Sequence, residues 1–127
     1  HWALAQRPTF RSLPLPTGLR GAKLLSLEQD GQGQLWLGTS RGPLVHDGRE
    51  PQLLGARDSL ADPRVTALFD DRRGTTWIGY ANGAISLRRG TRLHRFDPPE
   101  GTPSQQITAF AEGRQPGSLW IATYGEG

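Results

Sequence analysis

The sequence predicts an all-β chain built from repeated four-stranded antiparallel sheets. One pattern, an apolar strand, a turn and a strand containing tryptophan, occurs three times. The three copies are 24–39, 65–80 and 107–123. Their tryptophans, Trp36, Trp77 and Trp120, lie 41 and then 43 residues apart. Because a period of about 40 to 45 residues is typical of four-stranded propeller blades, we predict a β-propeller fragment of about 2.5 to 3 blades.

The second copy shows how each strand is assigned. Residues 65–69 carry apolar side chains at both odd and even positions. This pattern predicts an inner strand that is buried on both faces. Asp71 and Gly74 then occupy the first and fourth positions of a predicted type I turn, and Asp30 and Gly33 repeat this arrangement. The returning strand, 75–79, completes a hairpin.

Two further strands complete each predicted blade. Turns with glycine precede and follow a third, apolar strand, and the fourth strand is more polar and outermost. The third strands are 44–46 and 84–87, and the fourth strands are 52–54 and 93–96. Residues 9–13 resemble the fourth strand of a preceding blade. No segment has a helical period.

These strands divide the chain, 1–127, into parts of an incomplete propeller. The predicted parts are an N-terminal segment 1–23, blades 24–64 and 65–106, and half a blade at 107–127. Repeat units bury their apolar faces only against neighbours. We therefore expect the two ends to be covered by the remaining blades of a longer chain or by self-association.

The repeated positions are best explained by packing. Each tryptophan is followed by an aliphatic residue and then by a tiny one, Gly38, Gly79 or Ala122. A second column of small residues lies on the preceding strand, at Ser26, Ala67 and Ala109. Wedge-shaped sheets around an axis need such columns, so this strand is placed innermost. The tryptophans are predicted to belong to the core.

Composition argues against several classes of protein. Fifteen basic residues against twelve acidic ones is a weak imbalance, and no nucleic-acid partner is predicted. The one arginine cluster is predicted to be an exposed outer hairpin whose charges block edge pairing. Its members are Arg88, Arg89, Arg92 and Arg95. Cysteine is absent, and no apolar run could span a bilayer, so this segment is not predicted to be embedded in a membrane.

No catalytic residue, metal site or cofactor is predicted. Glycoside hydrolysis needs two convergent carboxylates, whereas the acidic residues here occur mainly at strand ends and turns, where they would cap the backbone. His46 and His94 lie on different strands without a partner at metal-ligand spacing. The chain is therefore predicted to bind rather than to catalyse.

The repeated residues resemble the two-component regulator propeller repeat, whose pattern is D-x-x-G-x-x-W-[IL]-G-T after an apolar strand. The first copy matches fully, and the second departs only where Tyr80 replaces the threonine. The third lacks the turn aspartate and has one extra residue. The predicted structural signature comprises Asp30, Gly33, Trp36, Gly38, Asp71, Gly74, Trp77, Gly79 and Trp120.

The resemblance implies a periplasmic or extracellular sensor domain of a bacterial membrane signalling protein. In that family a membrane helix and a histidine kinase or other output domain lie elsewhere in the chain. The implied partner is an unknown small molecule, a glycan or a protein. A non-signalling envelope or interaction scaffold is the alternative.

A related hairpin suggests a third interpretation. The Asp-box of sialidase-like propellers has Asp two residues before Gly, whereas Asp30 and Asp71 lie three before. A carbohydrate-active enzyme is therefore the least favoured alternative.

Ligand binding is expected at a face of the ring, where loops converge. Chain direction places the loop between the fourth and first strands on the same face as that between the second and third. The predicted rim residues are Arg41, Arg64, Tyr80, Asn82 and Tyr124.

Overall fold

The computed structural model describes residues 21–47, 51–54, 63–90 and 92–125. These residues form ten β-strands and no helix. The strands are β1 (Leu24–Gln29), β2 (Leu35–Thr39), β3 (Gly42–His46), β4 (Pro51–Leu53), β5 (Val65–Asp70), β6 (Thr75–Tyr80), β7 (Ile85–Arg89), β8 (Arg92–Phe96), β9 (Ile107–Glu112) and β10 (Leu119–Thr123). The predicted strand at 9–13 lies outside the described residues.

The strands form three antiparallel sheets in simple up-and-down order. The first sheet is β1-β2-β3-β4, the second is β5-β6-β7-β8, and the third is the hairpin β9-β10. The predicted all-β fold of four-stranded propeller blades is thereby confirmed. The sheets pack through their inner strands, since β5 lies against both β1 and β9.

The two columns of small residues face each other within every sheet. Ser26 pairs with Gly38, Ala67 with Gly79, and Ala109 with Ala122. In the second sheet the register shifts between Val65 and Ala67. Val65 packs with the first sheet, whereas Ala67 packs with Ile107 of the third. A bulge of this kind changes the direction in which a side chain points. Residues of this one inner strand therefore contact both neighbouring sheets.

The core is divided between the two junctions. At the first junction, Trp36 and Val45 of the first sheet pack with residues of the second. Those residues are Val65, Ile78, Tyr80 and Ala84. At the second junction, Trp77 meets Phe96 edge to face, with ring centroids 5.0 Å apart, and Phe110 of the third sheet at 6.5 Å. Edge-to-face aromatic pairs add to the stabilisation that comes from area burial.

Gly38 and Gly79 are required because a neighbouring sheet approaches them closely. A Cβ on Gly38 would lie 2.7 Å from Val65 Cγ1, and one on Gly79 would lie 2.5 Å from Ile107 Cγ2. Separations this short do not occur between real carbon atoms. The first residue of the next inner strand therefore packs directly against the small residue of the repeat.

The turn after β5 differs from the prediction. Arg72, its second position, has φ 61°, whereas a type I turn needs about −60° there. The Asp71 carboxylate stabilises this turn by accepting the backbone N–H groups of Arg73 (2.8 Å) and Thr75 (3.1 Å). The type I assignment is therefore wrong for the second unit.

Candidate functional site

The predicted rim residues lie at one edge of the sheets. At that edge each inner strand begins beside the end of the second strand. The Ala81 N–H donates to the Arg64 carbonyl (3.0 Å), and the Tyr124 N–H donates to the Gln106 carbonyl (2.8 Å). Arg41, Arg64, Asn82 and Tyr124 are exposed there. The Asn82 side chain accepts the Ala84 N–H (3.0 Å), so it helps to shape its own turn.

Tyr80 must be moved from the rim set to the core. Its side chain is 1% exposed and packs with Trp36, Val45 and Val65. The residue at this position in the first unit, Thr39, instead donates its hydroxyl to the Gly42 carbonyl (2.7 Å). The departure from the repeat pattern at Tyr80 thus fills the junction between the first two sheets, and the ring is not offered to a ligand at the rim.

The turn aspartates of the signature bind their own hairpins. Asp30 Oδ1 accepts the N–H groups of Gln32 and Gln34, both at 2.9 Å. Asp30 Oδ2 accepts the indole N–H of Trp36 at 3.0 Å. Gly33 and Gly74 have φ of 82° and 91°, a region that favours glycine. These residues form the hairpin and hold the tryptophan in place.

The three tryptophans have different environments. Trp36 is 1% exposed, Trp77 is half-buried, and Trp120 is 72% exposed. A tryptophan of the repeat is buried where another sheet packs beside it. Trp36 and Trp77 each pack beside the inner strand of the next sheet. Trp120 occupies the same strand position, on a face that no described residue covers.

A cleft of about 270 Å³ lies between the first and second sheets, at the edge opposite the rim. It was not predicted. Its lining residues are Asp30, Gly31, Gln32, Gln34 and Trp36 from the first sheet, and Arg72, Gly74, Thr76, Arg88 and Gly90 from the second. Two other clefts lie near the β9–β10 hairpin. None of these three clefts is lined by a predicted rim residue.

Arg88 is the most distinctive group in this cleft. Its guanidinium carbon lies 5.1 Å from the centroid of the Trp36 ring, within the range of a cation–π interaction. Its Nε donates to the Gly90 carbonyl at 3.0 Å. Its NH1 is shielded from solvent and has no hydrogen-bond partner among the described residues. The arginine cluster in the sequence is the signal that could have identified this site.

The other arginines of that cluster differ from Arg88. Arg92 and Arg95 are exposed on the outermost strand, as predicted for an outer hairpin. Arg89 is also exposed and donates from Nε to the Thr75 hydroxyl at 3.1 Å. Arg88 alone among the four is half-buried and lines the cleft.

Asp70 lies beside the cleft and links the two sheets. Burial, followed by repulsion from Asp30 and Asp71, raises the pKa of the Asp70 carboxyl above 3.8, although backbone N–H groups of Arg72 and Gly31 oppose the shift. The Asp70 N–H donates to Glu28 Oε2 at 3.2 Å, across the junction.

The raised pKa of Asp70 predicts a pH dependence. A carboxyl whose pKa is raised by folding favours the native state when protonated, and this contribution is lost as pH rises through the folded-state value. As the pH is raised from just below 3.8 to neutrality, the Asp70→Asn variant should therefore lose less stability than the wild type. Urea unfolding across this range measures it, with Glu100→Gln, an exposed position, as the control. Identical pH profiles for Asp70→Asn and the wild type would contradict it.

Two features are absent from the described part of the chain. No group of three or more His, Asp or Glu residues there could hold a metal ion. None of its segments is a helix long and apolar enough to cross a membrane.

The first repeat is similar to a known family of repeats. Residues 18–41 match the family described as "Two component regulator propeller". No curated protein matches the sequence. Among solved structures, the chain is similar to the extracellular domain of a putative hybrid two component system from B. thetaiotaomicron. The TM-score is 0.38 with 16% identity, over 81% of this chain and 19% of that chain.

Proposed function

We propose, from the two component regulator propeller repeat at residues 18–41, that this chain is part of a sensor module in a bacterial membrane signalling protein. The module binds a ligand or partner and does not catalyse a reaction. It lies in the periplasm or outside the cell, and an output domain elsewhere in the parent protein receives the signal.

The cleft between the first and second sheets is the proposed ligand site. The observation that carries this assignment is the Arg88 side chain, which lines the cleft and lies over Trp36, with its Nε bound to the Gly90 carbonyl. A guanidinium in a partly enclosed cleft favours acceptor groups, with which it forms charge-assisted hydrogen bonds. The proposed ligand is a small polar molecule with an anionic or carbonyl acceptor group.

A ligand in this cleft would act on the junction. Trp36 belongs to the first sheet and Arg88 to the second, so a molecule that contacts both favours one arrangement of the sheets over others. A ligand shifts a conformational equilibrium by its differential affinity for the two states. This provides a physical route from binding to an output domain.

The carboxylates near the cleft support binding rather than hydrolysis. Both oxygens of Asp30 accept hydrogen bonds within its own hairpin, and Asp71 accepts two backbone N–H groups. Asp70 accepts backbone N–H groups from both sheets. Groups engaged in this way hold turns and the junction together.

Tryptophan fluorescence offers a direct test, because the cleft contains Trp36. The full chain would be titrated with acetate, inorganic phosphate and acetamide. We expect at least one probe to change the emission, and Arg88→Gln to weaken its binding about 10- to 100-fold, since hydrogen bonds to charged groups contribute about 1.5–3 kcal/mol. Arg92→Gln makes the same charge change at an exposed position and should leave binding unchanged. Equal binding by both variants, or no response to any probe, would refute the assignment.

A further inference from the structure

Arg72 has an unusual backbone conformation at the edge of the proposed ligand cleft. Its φ is 61°, and it is the one non-glycine residue with a positive φ in the part of the chain that the structure describes. This left-handed region is unfavourable for residues that have a Cβ. Residues stay in it only where the surrounding structure holds them there, and such residues are concentrated at binding sites.

The repeat itself does not require this conformation. Gly31 occupies the same position in the turn of the first unit. Its φ is not positive, although glycine would tolerate a positive value. Both turns open with aspartate and end with glycine. The conformation of Arg72 is therefore specific to the second unit.

A contact between the first two sheets holds Arg72 in place. The Asp70 carboxylate accepts the backbone N–H groups of Arg72, in its own sheet, and of Gly31, in the first sheet. Asp70 is buried, where hydrogen bonds are stronger than in water. Gly31 and Arg72 both line the cleft. One buried carboxylate thus joins the turn that contains Arg72 to the opposite wall of the cleft.

The two arginines of this turn lie at different junctions. Arg72 is exposed and lines the cleft between the first and second sheets. Arg73 lies at the junction with the third sheet, where its NH2 atom is 3.6 Å from Glu112 Oε1. Arg73 therefore has a carboxylate partner within the protein, and it provides a matched control for Arg72.

Two guanidinium groups, those of Arg72 and Arg88, line the same cleft. The carboxylate in the lining, that of Asp30, accepts hydrogen bonds at both oxygens from its own hairpin. Guanidinium groups form paired, charge-assisted hydrogen bonds with carboxylate and phosphate groups. Two of them in one cleft favour a ligand that has an acceptor group for each.

We propose that Arg72 is a second ligand-binding residue of this cleft, and that the ligand carries two acceptor groups, at least one of them anionic. Arg88, which lies over Trp36, binds one group. Arg72, in the turn between β5 and β6, binds the other. This inference rests on the proposed ligand site and names the chemical class of its ligand.

Dicarboxylates test this assignment, because each carries two anionic acceptor groups. The full chain would be titrated with malonate, succinate and glutarate, and with acetate as a ligand that has one such group, by tryptophan fluorescence. We expect at least one dicarboxylate to bind about tenfold more tightly than acetate, because a further hydrogen bond to a charged group contributes about that factor or more. Arg72→Gln should remove this difference. Arg73→Gln makes the same charge change in the same turn and should preserve it.

The outcomes separate this inference from the proposed ligand site. Equal binding of acetate and the dicarboxylates, or a dicarboxylate preference that persists in Arg72→Gln, would overturn the role of Arg72. Equal loss of the preference in Arg72→Gln and Arg73→Gln would overturn it as well. In each of these cases the ligand site stands if Arg88→Gln still weakens binding. If no probe binds, or if Arg88→Gln has no effect, both proposals are wrong.

The backbone conformation of Arg72 has its own test. Arg72→Ala and Arg72→Gly remove the same guanidinium group, but only glycine adopts a positive φ readily. We expect both variants to bind dicarboxylates as weakly as Arg72→Gln does, and Arg72→Gly to have the higher midpoint of urea unfolding. A lower midpoint for Arg72→Gly than for Arg72→Ala would contradict the left-handed conformation and remove the structural basis of the proposal.

Discussion

Replacing Trp36 with alanine should lower the free energy of unfolding by about 3–5 kcal/mol, the usual cost of truncating a buried tryptophan. Its ring is 1% exposed and is in the cluster that joins the first two sheets. The change also removes the indole N–H that binds Asp30 Oδ2 and the ring beneath the Arg88 guanidinium. Chemical denaturation measures the effect.

Trp120 provides the matched control, because it occupies the same repeat position without the same burial. Trp120→Ala should change stability by no more than about 0.5 kcal/mol, as is usual for surface substitutions. If Trp36→Ala and Trp120→Ala lowered the free energy of unfolding by similar amounts, the adjoining sheet would not determine how much the tryptophan contributes to stability.

Replacing Gly79 with valine should destabilise the chain by about 3 kcal/mol, at the upper end of the range for overpacking a core. The new Cβ would lie 2.5 Å from Ile107 Cγ2 and 2.6 Å from Ile107 Cβ. Because Ile107 is fully buried, the third sheet would have to move away from the second. Equilibrium unfolding of the variant measures this cost.

Valine at the corresponding position one unit later controls for the effect of a β-branched side chain in this strand. Ala122 is exposed, so Ala122→Val should have little effect on stability. Ile107→Ala combined with Gly79→Val should recover part of the loss, since it removes the γ carbons that the new side chain meets. A Gly79→Val chain as stable as the wild type would disprove the close approach.

The periodicity of the sequence is sufficient to predict the sheets, because strands and turns depend mainly on residues that are close together in the chain. The pairing of Ala67 with Gly79 and the inner position of β5 both follow from residue size along one unit. The turn at Arg72 was assigned wrongly, since the pattern of Asp and Gly is compatible with more than one backbone conformation.

Features that depend on contacts between units were not predictable in the same way. Tyr80 was expected at the rim because its strand ends there, but the neighbouring sheet buries it. A run of arginines predicts exposed side chains, because charge runs are commonly solvated, yet Arg88 lies over a tryptophan of another unit. Such placements depend on which sheet packs next to which.

The close approach at Gly38 and Gly79 has a consequence for how such arrays grow in evolution. Each junction is encoded in two different units, one supplying the glycine and the next supplying the β-branched residue. The second unit contains both halves, Val65 at its start and Gly79 near the middle. A tandem duplication of this unit would create a compatible junction at once. Duplication of a unit with Ala122 at that position, followed by Val65 or Ile107, would first need a compensating substitution.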